Sequence, residues 1–138
     1  MTDVHDKATR SRNMSRIRSG DTKPEMLVRS YLHGRGLRYS LHNRKLPGKP
    51  DLVLSRHKTV IFVNGCFWHG HEGCRYFVIP KTRTAWWLQK IGRNKERDSE
   101  AEKKLNALGW KVIVVWECQL KKNERESTLT NIYKEVTE

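Results

Sequence analysis

The chain has 138 residues, with 28 lysines and arginines against 15 acidic residues and a formal net charge of +13. That length suits one domain with its own core; no run approaches the roughly 18 apolar residues of a membrane span and no apolar signal region opens the chain, so a cytoplasmic protein is expected. The charge excess points to a polyanion, nucleic acid first, because no lipidation signal or basic amphipathic helix suggests a membrane surface.

Residues 1–20 form a basic arm carrying Lys7, Arg10, Arg12, Arg16 and Arg18. It reads either as a solvated tail or as an arm on phosphates. Residues 21–138 are expected to form one domain. Thr22-Lys23-Pro24-Glu25 has the pattern of a capping box, with Thr22 as N-cap and Pro24 in the tolerant first turn. Leu27, Val28, Tyr31 and Leu32 then share one helical face, and Gly34 and Gly36 end the helix. Leu37 to Leu41 allows a short strand. Asp51-Leu52-Val53-Leu54 and Thr59 to Val63 predict a hairpin around Ser55-Arg56-His57-Lys58. Thr82-Arg83-Thr84 offers N-caps for a long helix from about Ala85 to Leu108, with a highly charged middle. Lys111 to Trp116 predicts another buried strand, and Leu129, Ile132, Tyr133 and Val136 a last helix. The order implies an α/β domain with a mixed central sheet flanked by helices on both faces.

The chemistry concentrates after the second hairpin strand. Cys66, His71 and Cys74 lie within nine positions, and Cys118 follows the last strand. Three cysteines cannot all pair with one another, and thiolates with an imidazole form the ligand set of a closed structural zinc site. Gly65, Gly70 and Gly73 let that loop turn tightly. His69 is left over, as a spare ligand, a surface residue or a catalytic imidazole. Phe67 and Trp68 are adjacent, so both cannot enter one core face; in a basic protein they suit stacking on bases or intercalation. Trp86 and Trp87 form a second adjacent pair, and one ring of each pair can be plain core packing. Pro50-Asp51 puts a carboxylate at a strand start, one half of a common nuclease signature that holds Mg²⁺. The other half, an acidic residue and a lysine on the next strand, is absent: that place reads Phe62-Val63-Asn64.

Several separated motifs together resemble the very short patch repair (Vsr-type) DNA mismatch endonucleases. They are Ser11-Arg12-Asn13-Met14, Asp21-Thr22, Glu25, Leu46-Pro47-Gly48-Lys49-Pro50-Asp51, Gly65-Cys66-Phe67-Trp68-His69, Thr82-Arg83-Thr84, Trp87 to Gly92, Asn94, Glu96-Arg97-Asp98, Leu108-Gly109-Trp110 and Val115-Trp116-Glu117-Cys118. The resemblance implies a restriction-endonuclease-like fold with a structural zinc, and Mg²⁺-dependent nicking of one strand beside the thymine of a T:G mismatch. It implies that Asp51 binds the catalytic metal with the backbone carbonyl of Val63, that His69 is the general base or orients water, and that Glu25 acts through bound water. It implies zinc on Cys66, His71, Cys74 and Cys118, with Phe67, Trp68 and Trp86 entering the duplex. It also implies a monomer acting at the nucleoid on double-stranded DNA, with a functional link to a DNA cytosine methyltransferase. Two positions depart from the family pattern. Asn64 stands where a second histidine is common; it hydrogen-bonds water or phosphate but does not titrate. Gly73 lengthens the zinc loop by one residue. The rival readings are a non-catalytic zinc module that binds mismatched or bent DNA, and a related endonuclease of different specificity.

Overall fold

The computed structural model describes residues 22–138, so the basic arm lies outside the described residues. The first helix, α1, spans Lys23–Gly34, and Thr22 caps it by accepting the Glu25 amide on its hydroxyl. Val28 and Leu32 form its buried stripe. Gly36 reverses the chain at φ +86, and the Leu37 amide then donates to the Leu32 carbonyl at 3.1 Å. This closes the helix end with a residue that carries no Cβ to clash.

Four strands follow: β1 (Ser40–Leu41), β2 (Leu52–Leu54), β3 (Thr59–Asn64) and β4 (Lys111–Trp116). They lie in the order β1-β2-β3-β4. The first three are antiparallel, and β3 and β4 are parallel. A parallel pair needs a long crossover, which the 24-residue α2 (Thr84–Ala107) supplies. The final helix, α3, spans Arg125–Thr137. The mixed sheet and the flanking helices are as the sequence implied, although β1 keeps only the last two residues of the stretch expected there.

Alternation along the strands divides the core. Leu52, Leu54, Ile61, Ile113 and Val115 pack with Val28 and Leu32 of α1 and Leu129, Ile132 and Val136 of α3. Val53 and Val60, one position out of phase, pack with Leu105 of α2. Leu54, Val60 and Ile61 are fully buried, as expected for strands covered on both sides.

Two expectations for α2 are corrected. None of the threonines caps it: Arg83 holds the N-cap position at φ +57 without a side-chain bond to the helix. The Thr84 hydroxyl instead donates back to the Pro80 and Lys81 carbonyls at 2.9 and 3.0 Å. Leu108, expected as the last residue of the helix, falls at the C-cap and is 57% exposed, because the helix ends at Ala107 and the chain turns away through Gly109.

The segment leading into β2 is pressed against α2. Gly48 has φ +75, and a Cβ added there would lie 2.6 Å from the Ala101 Cβ. Gly48→Ala is therefore expected to cost on the order of 3 kcal/mol, combining a left-handed backbone with overpacking. Urea titration at unchanged m-value measures it; a loss under about 0.5 kcal/mol would contradict this packing.

Candidate active site and metal centre

The start of β2 is built by proline. Continuing the β2–β3 register of Leu52 with Ile61 places Pro50 opposite Val63. Proline has no amide, so the ladder offers the Val63 carbonyl no donor there. The Val63 amide donates instead to Asp51 Oδ2 at 2.7 Å. Pro50-Asp51 thus ends the ladder with one carboxylate and one main-chain oxygen at the same edge.

Glu25 joins them from the first turn of α1, with only 1% exposure. Its carboxylate receives Arg29 Nη1 at 3.3 Å and lies 3.0 and 2.9 Å from His42 Nε2. Ligand atoms of Glu25, His42 and Asp51 all lie within 4.8 Å of one another. Burial raises the Asp51 carboxyl from 3.8 to about 6; the Val63 amide opposes that rise, and the nearby Glu25 charge adds to it. Two carboxylates facing each other, with Asp51 raised, fit a hard divalent cation, which would relieve their repulsion.

Glu25, Asp51, Val63, Asn64 and His69 line one cleft of about 580 Å³, with Phe67 and Trp68 at its wall. Asp51 and His69 therefore face the same space. His69 Nδ1 lies 2.6 Å from Asp98 Oδ2. A carboxylate on Nδ1 sets the ring's orientation and tautomer and leaves Nε2 for the reaction. Asp98 belonged to a recognised motif but had no expected role. Its signal was helical spacing: Lys90, Asn94, Arg97 and Asp98 of α2 recur three and four apart, and all line the cleft. Lys49 adds another cation there. His42 carried no signal in the sequence.

The other expected cluster also converges. Ligand atoms of Cys66, His71, Cys74 and Cys118 lie within 4.8 Å of one another. Cys118 Sγ is 3.5 Å from His71 Nδ1. Bonds of about 2.3 Å to sulfur and 2.0–2.1 Å to nitrogen give a tetrahedral S···N edge of about 3.5 Å. The Cys118 amide reaches Cys66 Sγ at 3.4 Å, the kind of donor a thiolate ligand needs. Without an ion, desolvation pushes the Cys66 thiol up to about 12 and raises Cys118 as well. A buried thiol of that kind ionises when a metal takes the proton's place. The donor set fits zinc. Gly70 and Gly73, at φ +61 and +72, make the turns that bring the ligands round. The His71 ring stacks on Trp116 at 4.1 Å and 4°.

The aromatic residues divide as their neighbours dictate. Phe67 lies 5.3 Å from both the Trp68 and Trp87 rings. Trp87 is the packed member of its pair, and Trp86 is 43% exposed with the Arg83 guanidinium 4.9 Å from its ring. Asn94 Nδ2 donates to the Trp68 carbonyl at 2.9 Å, tying that loop to α2.

Paired carboxylates and a carboxylate-bound imidazole facing a cation-lined cleft are the equipment of a nuclease. Residues 2–75 match the family described as DNA mismatch endonuclease Vsr. The chain is 50% identical to the DNA mismatch endonuclease Vsr of Escherichia coli (strain K12) over 125 residues, 91% of this chain and 80% of that protein. It is 51% identical to the type II nicking enzyme V.NmeAIP of Neisseria meningitidis over 88% of this chain and 86% of that protein. Identity to the type II nicking enzyme V.XorIIP of Xanthomonas oryzae pv. oryzae is 48%, over 87% and 88%. The chain belongs to the Vsr family of DNA mismatch endonucleases.

Proposed function

We propose that the protein nicks one strand of double-stranded DNA beside the thymine of a T:G mismatch, with Mg²⁺ in the carboxylate cleft and zinc in the thiolate knot. The observation that carries this reading is the shared cleft of Asp51, Glu25 and His69, next to Phe67 and Trp68. Mg²⁺, when bound, would neutralise charge on the scissile phosphate and acidify water. Asp51 and the Val63 carbonyl would hold it, and Glu25 would orient its water shell. His69, steered by Asp98, would take the proton from the attacking water at Nε2. Asn64 would hydrogen-bond water or phosphate. Lys49, Lys90 and Arg97 would bind the backbone without reading sequence. Phe67, Trp68 and the exposed Trp86 would enter the stack, where a mismatch yields more cheaply than a paired step. The sheet with helices on both faces, with the Asp51 carboxylate at a strand end, supports a restriction-endonuclease-like fold. One carboxylate cleft among the described residues, cutting one strand, is consistent with a monomer, acting in the cytoplasm on chromosomal DNA alongside a cytosine methyltransferase. Among the described residues, no helix is long and apolar enough to cross a membrane.

Strand-resolved mapping on duplexes with one T:G pair tests the reading. Nicks at the thymine with Mg²⁺, and none on the matched duplex, are expected. Binding without cleavage would favour a recognition module. Asp98→Asn is expected to lower kcat about 10- to 100-fold with KM unchanged, because His69 loses its orienting charge. A kcat within twofold of the parent would remove Asp98 from the mechanism.

A further inference from the structure

One residue ties the two carboxylates of the cleft together. His42 follows β1 with φ +47, and its amide donates to the Asp51 carbonyl at 3.0 Å. Its Nε2 lies 3.0 and 2.9 Å from the two Glu25 oxygens. The same residue therefore holds Asp51 through the main chain and Glu25 through the ring. The amide bond continues the β1–β2 ladder, and the ring bond reaches across to α1.

We propose that His42 is a positioning residue of the carboxylate site: its imidazole holds Glu25 against Asp51, so that the pair receives one divalent ion. This rests on the proposed reading of the cleft as a metal site. The physical need is plain. Two carboxylates brought together repel, and a glutamate side chain can rotate away to relieve the repulsion. Arg29 Nη1 reaches Oε2 at 3.3 Å. The tautomer with its proton on Nε2 donates to the Glu25 carboxylate between its two oxygens and opposes that rotation. Groups that surround a metal, directly or through its bound water, are commonly held by such outer partners, and losing one typically costs about 10- to 100-fold in metal affinity. With asparagine at position 64, this imidazole is brought to the carboxylates from the other side of β2.

The test uses the full chain and Mn²⁺ as the probe, bound in the absence of DNA and followed by its electron paramagnetic resonance. His42→Ala is expected to weaken Mn²⁺ binding about 10- to 100-fold. His42→Gln, which keeps a donor nitrogen at comparable reach, is expected to recover most of it, a rescue that a packing role would not give. With Mg²⁺, the KM for mismatched duplex stays at the parental value, and the kcat of His42→Ala rises toward the parent as the metal is raised. Equal Mn²⁺ affinity in His42→Ala and the parent would overturn the proposal. So would a ¹⁴N coupling to bound Mn²⁺ that vanishes in His42→Ala, since His42 would then be a ligand itself. An Asp51→Ala arm separates the two levels. If Asp51→Ala keeps parental Mn²⁺ binding, the metal reading of the cleft falls, and the role of His42 falls with it; if only His42→Ala does, the reading stands and this proposal alone fails.

Discussion

Asp51→Asn is expected to slow nicking at least about 10³-fold while leaving affinity for the mismatched duplex within about twofold. The amide cannot supply the charge that holds a divalent ion, and a lost Lewis acid is worth several kcal/mol in the barrier. On the proposed reading, duplex affinity comes chiefly from cations and aromatic rings elsewhere, so it is spared. The same substitution has an opposite effect on the resting protein. Asp51 is raised from 3.8 to about 6, first by burial. Between those two values the folded chain holds more protons than the unfolded one, so its stability falls as pH rises through that window. Without added divalent ion, Asp51→Asn should therefore melt above the parent at pH 7.5, and the difference should shrink as pH falls through that window and vanish below it. Added Mg²⁺ should stabilise the parent alone. A variant that nicks at the parental rate, or that is less stable than the parent at pH 7.5 without divalent ion, would remove Asp51 from the site assigned to it.

Loss of the proposed zinc ion is expected to have the largest structural effect. Cys66 is fully buried and lies just beyond β3, whereas Cys118 lies just beyond β4. An ion shared by them joins the ends of the parallel pair and closes the loop that carries Phe67, Trp68 and His69. Cys66→Ser, or stripping with a strong chelator, should lower the melting temperature by more than about 10 °C, on the order of 3 kcal/mol or more at this chain length. Near-ultraviolet dichroism should also weaken as Trp116 loses its fixed His71 partner. Because the Cys66 thiol stands at about 12 without an ion, zinc uptake should release protons and tighten steeply with pH. Purified protein with less than about half an equivalent of zinc, or an unchanged melting curve after chelation, would contradict this account.

Much of this was legible along the chain because local chemistry decided it. Thr22 announced its helix, since a capping oxygen and its amide are neighbours in sequence. Val60, Ile61 and Phe62 announced β3, since a continuous apolar run needs cover on both faces. Cys66, His71, Cys74 and Cys118 announced their cluster, since few other roles suit three thiols and an imidazole among glycines. What the chain alone determined, then, was composition-driven: which segments bury, which residues gather as candidate metal ligands, and where a carboxylate starts a strand. Only the tertiary structure decided which partner each polar group meets. Asp98 reaches His69 across 29 positions, and His42 reaches Glu25 across 17, because α2 and β1 are docked by the core and not by those contacts. The same docking packs Trp87 and leaves Trp86 exposed, and it lines Pro50 up with Val63 to leave a carbonyl without a ladder partner. Burial is a property of a residue and its near neighbours, and so it leaves a periodic trace. Pairing across a fold depends on register and docking, which no short window of sequence contains.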